Sequence, residues 1–106
     1  MNNNYTEVLV KVANHYGIHC QINKLVEEIH ELEEAIKSRN INDIMSEMAD
    51  VENMLLQVKY LLNLQEQISE IKMYKMEREL GRINSKKDGV LQFSDYLKCD
   101  KNEMSK

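Results

Sequence analysis

Apolar residues recur at intervals of three and four along most of the chain, the period of helices packed on one face. Val8 and Val12, with His15 at the next step and Leu9, Ala13 and Tyr16 beside them, predict a first helix over 4–16. Gly17 is placed to end it, since glycine takes the left-handed conformation that closes helices. Ile22, Leu25, Val26, Ile29, Leu32 and Ile36 mark a second helix over 19–39. The polar run 38–42 reads as a turn, with Asn40 or Asn42 capping the next helix through its short side chain. Ile44, Met48, Val51, Leu55, Val58 and Leu62 predict a third helix over 43–62. Met45, Ala49 and Leu56 widen its apolar face, which makes it the expected centre of the core. After a weak break at 63–65, Ile68, Ile71, Met76, Leu80 and Ile83 predict a fourth helix over 66–83. From Asn84 the pattern lapses: NSKKDG reads as a turn, LQFSDYLKC as a short helix or docking segment, and DKNEMSK as a mobile end. The expected architecture is an all-α bundle of about four helices over 1–84, with a partly mobile extension over 85–106.

Composition supports the helical reading. The chain of 106 residues has no proline and three glycines, and good helix formers dominate it. That length suits one domain with a modest core. With no tryptophan and one phenylalanine the core must be aliphatic, and so small a chain gains from oligomerisation. The net charge of −4 argues against a nucleic-acid partner, which requires a basic stripe. No apolar run reaches membrane-spanning length, and MNNNYTEV lacks the basic-then-apolar order of a secretory signal. Cys20 and Cys99 match no metal spacing, so free thiols in the cytoplasm are expected.

The candidate chemistry lies on either side of the 38–42 turn. Glu28 and Glu31 precede it, and Glu47 and Asp50 follow it, each pair three apart on one helix face. If the turn folds the helices back on one another, four carboxylates converge. Such a group repels itself unless protonated or shared by a cation, and oxygen donors suit Mg²⁺ or Mn²⁺. Glu28 falls about 90° from the apolar stripe centre and Glu31 about 150°. Glu27 and Glu34 point further outward, while Glu33 falls near the stripe itself. Glu47 lies within the apolar arc of its helix and Asp50 at its edge; a carboxylate among apolar groups is costly unless it is paired or metal-bound. Glu52 also falls among apolar positions, near the site or an oligomer interface. The competing reading is a charged hairpin with a salt-bridged surface.

Lys75, Arg78 and Arg82 share one face of the fourth helix, which by itself reads as a solvated face paired with Glu77 and Glu79. His15, His19 and His30 form no ligand set with the cysteines, and His30 reads as a surface or interface residue. Cys20 and the methionines read as packing groups. Tyr16, Tyr60 and Tyr74 suit packing or stacking on a base.

EEIHE (Glu27 to Glu31) followed by EMADV (Glu47 to Val51) resembles the EExxE…ExxD signature of the MazG family. QINKLVEEIHEL, EMADVENMLLQVKYLL and the basic YKMERELGRI extend the resemblance over about two-thirds of the chain. That family belongs to the all-α nucleoside triphosphate pyrophosphohydrolases, with dimeric dUTPases, dCTPases and phosphoribosyl-ATP pyrophosphohydrolases among its relatives. The resemblance implies Mg²⁺ held by Glu28, Glu31, Glu47 and Asp50. It further implies water attack between the α and β phosphorus atoms of a nucleoside triphosphate, giving a monophosphate and pyrophosphate. It makes Glu27 a residue behind the metal ligands or a water-orienting base, and sets Lys75, Arg78 and Arg82 against the substrate phosphates. It also implies a site completed by oligomerisation. The alternative is a non-catalytic oligomerisation or regulatory module whose acidic site is vestigial.

Overall fold

The computed structural model describes residues 4–89, with side chains described through residue 85. The described residues form three helical elements and no strand: α1 (Tyr5–Ser38), α2 (Ile41–Leu62) and α3 (Gln65–Gly89). The all-α class is as the periodicity predicts. The expected first and second helices join as α1, but Gly17 breaks that element with φ 84° and ψ 170°. This region of backbone space is open essentially to glycine alone, so the glycine that reads as a stop in the sequence is a sharp break.

The ends of the helices follow from local chemistry. Asn4 caps α1 by accepting a hydrogen bond from the Glu7 amide at 2.8 Å. Arg39 closes it in the left-handed conformation, its N–H donating to the carbonyls of Ala35 and Ile36. Asn40 then caps α2, its side-chain oxygen accepting from the amides of Asn42 and Asp43 at 3.0 and 3.1 Å. Two residues therefore link α1 to α2, a length that forces an antiparallel hairpin. Asn63 ends α2 at φ 58°, a conformation asparagine tolerates better than most residues.

The pairing along the hairpin confirms this register. Gln21 hydrogen-bonds Gln57, and seven residues on, Glu28 meets Asp50, seven residues back on α2. Before the Gly17 break the direction is opposite. The Tyr5 hydroxyl donates to Asn53, and Asn14 donates to the Tyr60 hydroxyl at 3.2 Å, so this stretch runs parallel to α2. The break thus lays two helical segments against α2. Ala13, fully buried, is the small residue that allows the close approach.

The buried face of α1 differs from the apolar stripe predicted for it. Ala13, Gln21, Glu28 and Ala35 are buried, at steps of eight and seven, while Ile22, Val26, Ile29 and Ile36 are 40–50% exposed. On α2, Met54 and Gln57 are buried, whereas Met45, Met48, Leu55, Leu56 and Leu62 are exposed. The hairpin packs along its small and polar seam, and much of the apolar stripe is exposed among the described residues. Glu33, placed near the stripe by the wheel, is exposed and paired with Lys37 at 3.4 Å. Cys20, expected to pack, is exposed, as are Tyr16 and Glu52.

The chain divides into two compact units between Gln65 and Glu66. In the second, α3 continues to Gly89, past the turn expected at NSKKDG. Lysine and serine are compatible with a helix, and the next glycine supplies the stop. The readings of LQFSDYLKC and of the DKNEMSK end fall outside the described residues. Among the described residues, no helix is long and apolar enough to cross a membrane.

Candidate metal centre

The hairpin register carries the site. Because Glu28 occupies the seam of α1, its carboxyl group is held between the helices and the residue is 6% exposed. The opposing face of α2 supplies Glu47 and Asp50. One carboxylate oxygen from each of the three lies within 4.8 Å of the others. Asp50 is exposed and Glu47 is half-buried, so the cluster has a closed floor and an open side.

The electrostatics of this arrangement are unbalanced. Glu28 Oε2 faces the Lys24 ammonium at 3.4 Å, but Lys24 stands largely in solvent and also pairs with Glu27 at 3.7 Å. Glu28 Oε1 is buried with no hydrogen-bond partner, as is Glu47 Oε1. Burial pushes the Glu28 carboxyl above its ordinary range. The hydrogen bond and charge of Glu31, and the charge of Asp50, act in the same direction, against the pull of Lys24. Lys24 is itself raised, chiefly by its hydrogen bond to Glu28.

Buried carboxylate oxygens without donors are costly and seldom left in a fold without a reason. A divalent cation fits here on the chemistry of the donors, which are hard, anionic and converging. Glu28, Glu47 and Asp50 would hold it, with Glu31 beside them at the mouth.

The four acids do not form one equal cage. Glu31 is exposed and lines a neighbouring cleft of about 410 Å³ with Glu34, Ala35, Ser38, Asp43 and Glu47. Glu34, expected to point away, belongs to this cleft, as does Asp43, which the periodicity marks only as the start of the third helix. Their signal was present: Glu34 continues the three-residue step from Glu31, and Asp43 lies one turn before Glu47. Glu27 sits outside the three-acid group in its exposed pair with Lys24. His30 pairs with Glu33 on the surface, 3.9 Å away. Within α3, Arg82 pairs with Glu79 and the Arg78 guanidinium lies 5.7 Å from the centre of the Tyr74 ring. Lys75 is exposed.

A family model, the MazG nucleotide pyrophosphohydrolase domain, matches residues 17–86. The chain belongs to the MazG family. The match begins at the glycine break and covers both acid pairs and α3 through its basic residues. No curated protein and no solved structure matches the chain. The MazG domain and the acid cluster together suggest nucleotide pyrophosphohydrolase chemistry at a metal-binding site.

Proposed function

We propose that this MazG protein hydrolyses a nucleoside triphosphate, ribo or deoxy, to the monophosphate and pyrophosphate, and that it requires Mg²⁺, with Mn²⁺ able to replace it. The observation that carries the proposal is the buried, unpartnered oxygen of Glu28 facing Glu47 and Asp50 within a MazG domain. A divalent ion at this position neutralises phosphate charge and raises the acidity of a bound water.

The chain's own groups set the rest. Glu28, Glu47 and Asp50 fix the ion's position on two helices tied in register, and Glu31 extends the donor set toward the acidic cleft. That cleft repels a bare triphosphate, so the phosphates enter only with their cations. Glu27, beside Lys24 at the rim, is assigned to orienting water. Lys75, Arg78 and Arg82 are assigned to the phosphates. The stripe of Ile22, Val26, Ile29 and Ile36, exposed among the described residues, supports assembly as a homodimer or homotetramer, which would cover it. A cytoplasmic location agrees with nucleotide substrates.

The test is pyrophosphate release from a panel of ribo- and deoxynucleoside triphosphates, with Mg²⁺ and then with EDTA. The expected result is metal-dependent release with a monophosphate as co-product. Phosphate in place of pyrophosphate, or release indifferent to EDTA, would refute the proposal. Silence across the panel from folded protein that shows no Mg²⁺-induced rise in melting temperature would favour a vestigial site.

A further inference from the structure

A second concavity lies on the α2 face that carries the acids. The stretch of α1 before Gly17 and the middle of α2 enclose a groove of about 200 Å³, lined by Tyr5, Val8, Leu9, Val12, Asn53 and Gln57. Three of its six lining side chains are aliphatic and three carry a polar group, and most of the wall surface is apolar. That is the composition of a ligand site in which a few groups fix orientation. It is smaller than the roughly 300 Å³ at which drug-sized sites begin, so it suits one ring system rather than a whole nucleotide.

Its place on the helix matters. Asn53 and Gln57 follow Asp50 by three and seven residues, on one face of α2. At about 1.5 Å per residue they stand about 4.5 and 10 Å along the axis from Asp50. That is the direction and reach of a sugar and base extending from a phosphate held at the acids.

The polar groups are also biased. The Asn53 carbonyl oxygen accepts from the Tyr5 hydroxyl. The Gln57 carbonyl oxygen accepts from the buried amide of Gln21 at 2.6 Å. With both oxygens engaged, the two side-chain NH₂ groups are what these amides have to offer, and Gln57 spends its own only on the Met54 sulfur at 3.9 Å. Donors select acceptors. Thymine, and uracil likewise, present a carbonyl where cytosine presents an amino donor.

We propose that this groove holds the base of the nucleotide, with Asn53 and Gln57 donating to carbonyl oxygens on a pyrimidine ring. Uracil and thymine are thereby favoured over cytosine. Tyr5 braces Asn53, and Val8 and Val12 cover the ring. The inference rests on the nucleotide reading above and adds the substrate's base to it.

The test is a titration of ¹⁵N-labelled protein with uridine 5′-monophosphate and with cytidine 5′-monophosphate in Mg²⁺, which brings in the phosphate while the monophosphates are not turned over. The side-chain amide signals of Asn53 and Gln57 are followed. Both should shift saturably with the uridine nucleotide, at about tenfold or greater preference over the cytidine one, in line with a good base contact. Asn53→Asp, which exchanges a donor for an acceptor, should reverse the order. Val8→Phe fills the groove from an exposed position and should abolish the shifts while helicity is retained. Silent amides, equal affinities, or an unreversed order in Asn53→Asp overturns the assignment. So does a Val8→Phe protein that changes oligomer size yet still binds, for the groove would then belong to a second copy. Pyrophosphate release with silent amides removes the base assignment alone. Responsive amides without pyrophosphate release under Mg²⁺ remove the hydrolytic reading alone.

Discussion

Glu28→Gln separates a metal ligand from a packing residue. The substitution keeps shape and removes charge. In the metal-free protein, Glu28 holds a buried oxygen with no donor beside two other carboxylates. Leaving a buried polar group unsatisfied costs about 1–3 kcal/mol, and more when it is charged. Glutamine places an NH₂ donor within reach of Glu47 and Asp50, so most of that cost should vanish. The lost pair with Lys24 offsets little, because the ammonium stands in solvent. A net gain of about 1 kcal/mol is therefore expected in EDTA, which raises Tm by about 4–8 °C in a domain of this size.

Magnesium should invert the order. A ligand at 100 times its Kd stabilises the folded state by about 2.7 kcal/mol, and the variant has lost the innermost donor. Wild type should thus melt below Glu28→Gln in EDTA and above it in saturating Mg²⁺, both at one fixed protein concentration. The pH dependence has a definite sign. Burial and the neighbouring acids raise the Glu28 pKa in the fold above its ordinary 4.5. The penalty is then absent below 4.5 and grows as pH rises through the shifted value. The advantage of Glu28→Gln in EDTA should therefore shrink as the solution is acidified toward 4.5. Differential scanning fluorimetry with urea titration decides the matter. A variant that melts lower in EDTA, or that gains as much from Mg²⁺ as wild type, would show Glu28 to be a packing group and refute the reasoning.

Three further outcomes are expected. Glu47→Ala should abolish pyrophosphate release while circular dichroism still shows a helical protein; undiminished turnover would remove Glu47 from the site. Gly17→Ala meets no steric neighbour, but it forces alanine into backbone space that costs about 1–3 kcal/mol, so the unfolding free energy from urea titration should fall by that amount. Val26→Glu with Ile29→Glu charges two half-exposed positions of the apolar stripe; sedimentation should show a smaller species, and an unchanged mass would place the interface elsewhere.

Much of this arrangement was written in short-range signals. Gly17 and Asn40 mark helix ends through chemistry confined to a few residues, and both act as read; Asn4, expected as the first residue of its helix, is its cap. The two-residue link at Arg39 and Asn40 then dictates a hairpin, so convergence of Glu28 with Glu47 and Asp50 follows from spacing alone. Of the three acids that the wheel sets among apolar positions, Glu33 and Glu52 are exposed, while Glu47 has a buried, unpartnered oxygen. The extension of α3 through NSKKDG was illegible for a different reason: exposed lysine and serine neither favour nor forbid a helix strongly enough to mark its end.

The misplaced seam of α1 has a more general cause. Periodicity finds apolar faces but does not say whether the surface that covers them lies in the same chain. Ile22, Val26, Ile29 and Ile36 define the stronger stripe, yet Gln21, Glu28 and Ala35 are the residues the hairpin encloses. A seam of small and polar residues is a weak source of hydrophobic stabilisation. Its buried amides demand particular partners: Gln21 finds Gln57, and that bond penalises a slipped register, because sliding α1 by one turn would leave both amides buried and unpaired. The same register brings Glu28 against Asp50 and Glu47. The polar seam therefore fixes the alignment that gathers the acids, while much of the apolar stripe is exposed among the described residues. That division explains why the acids read best from spacing and the core read worst from hydrophobicity.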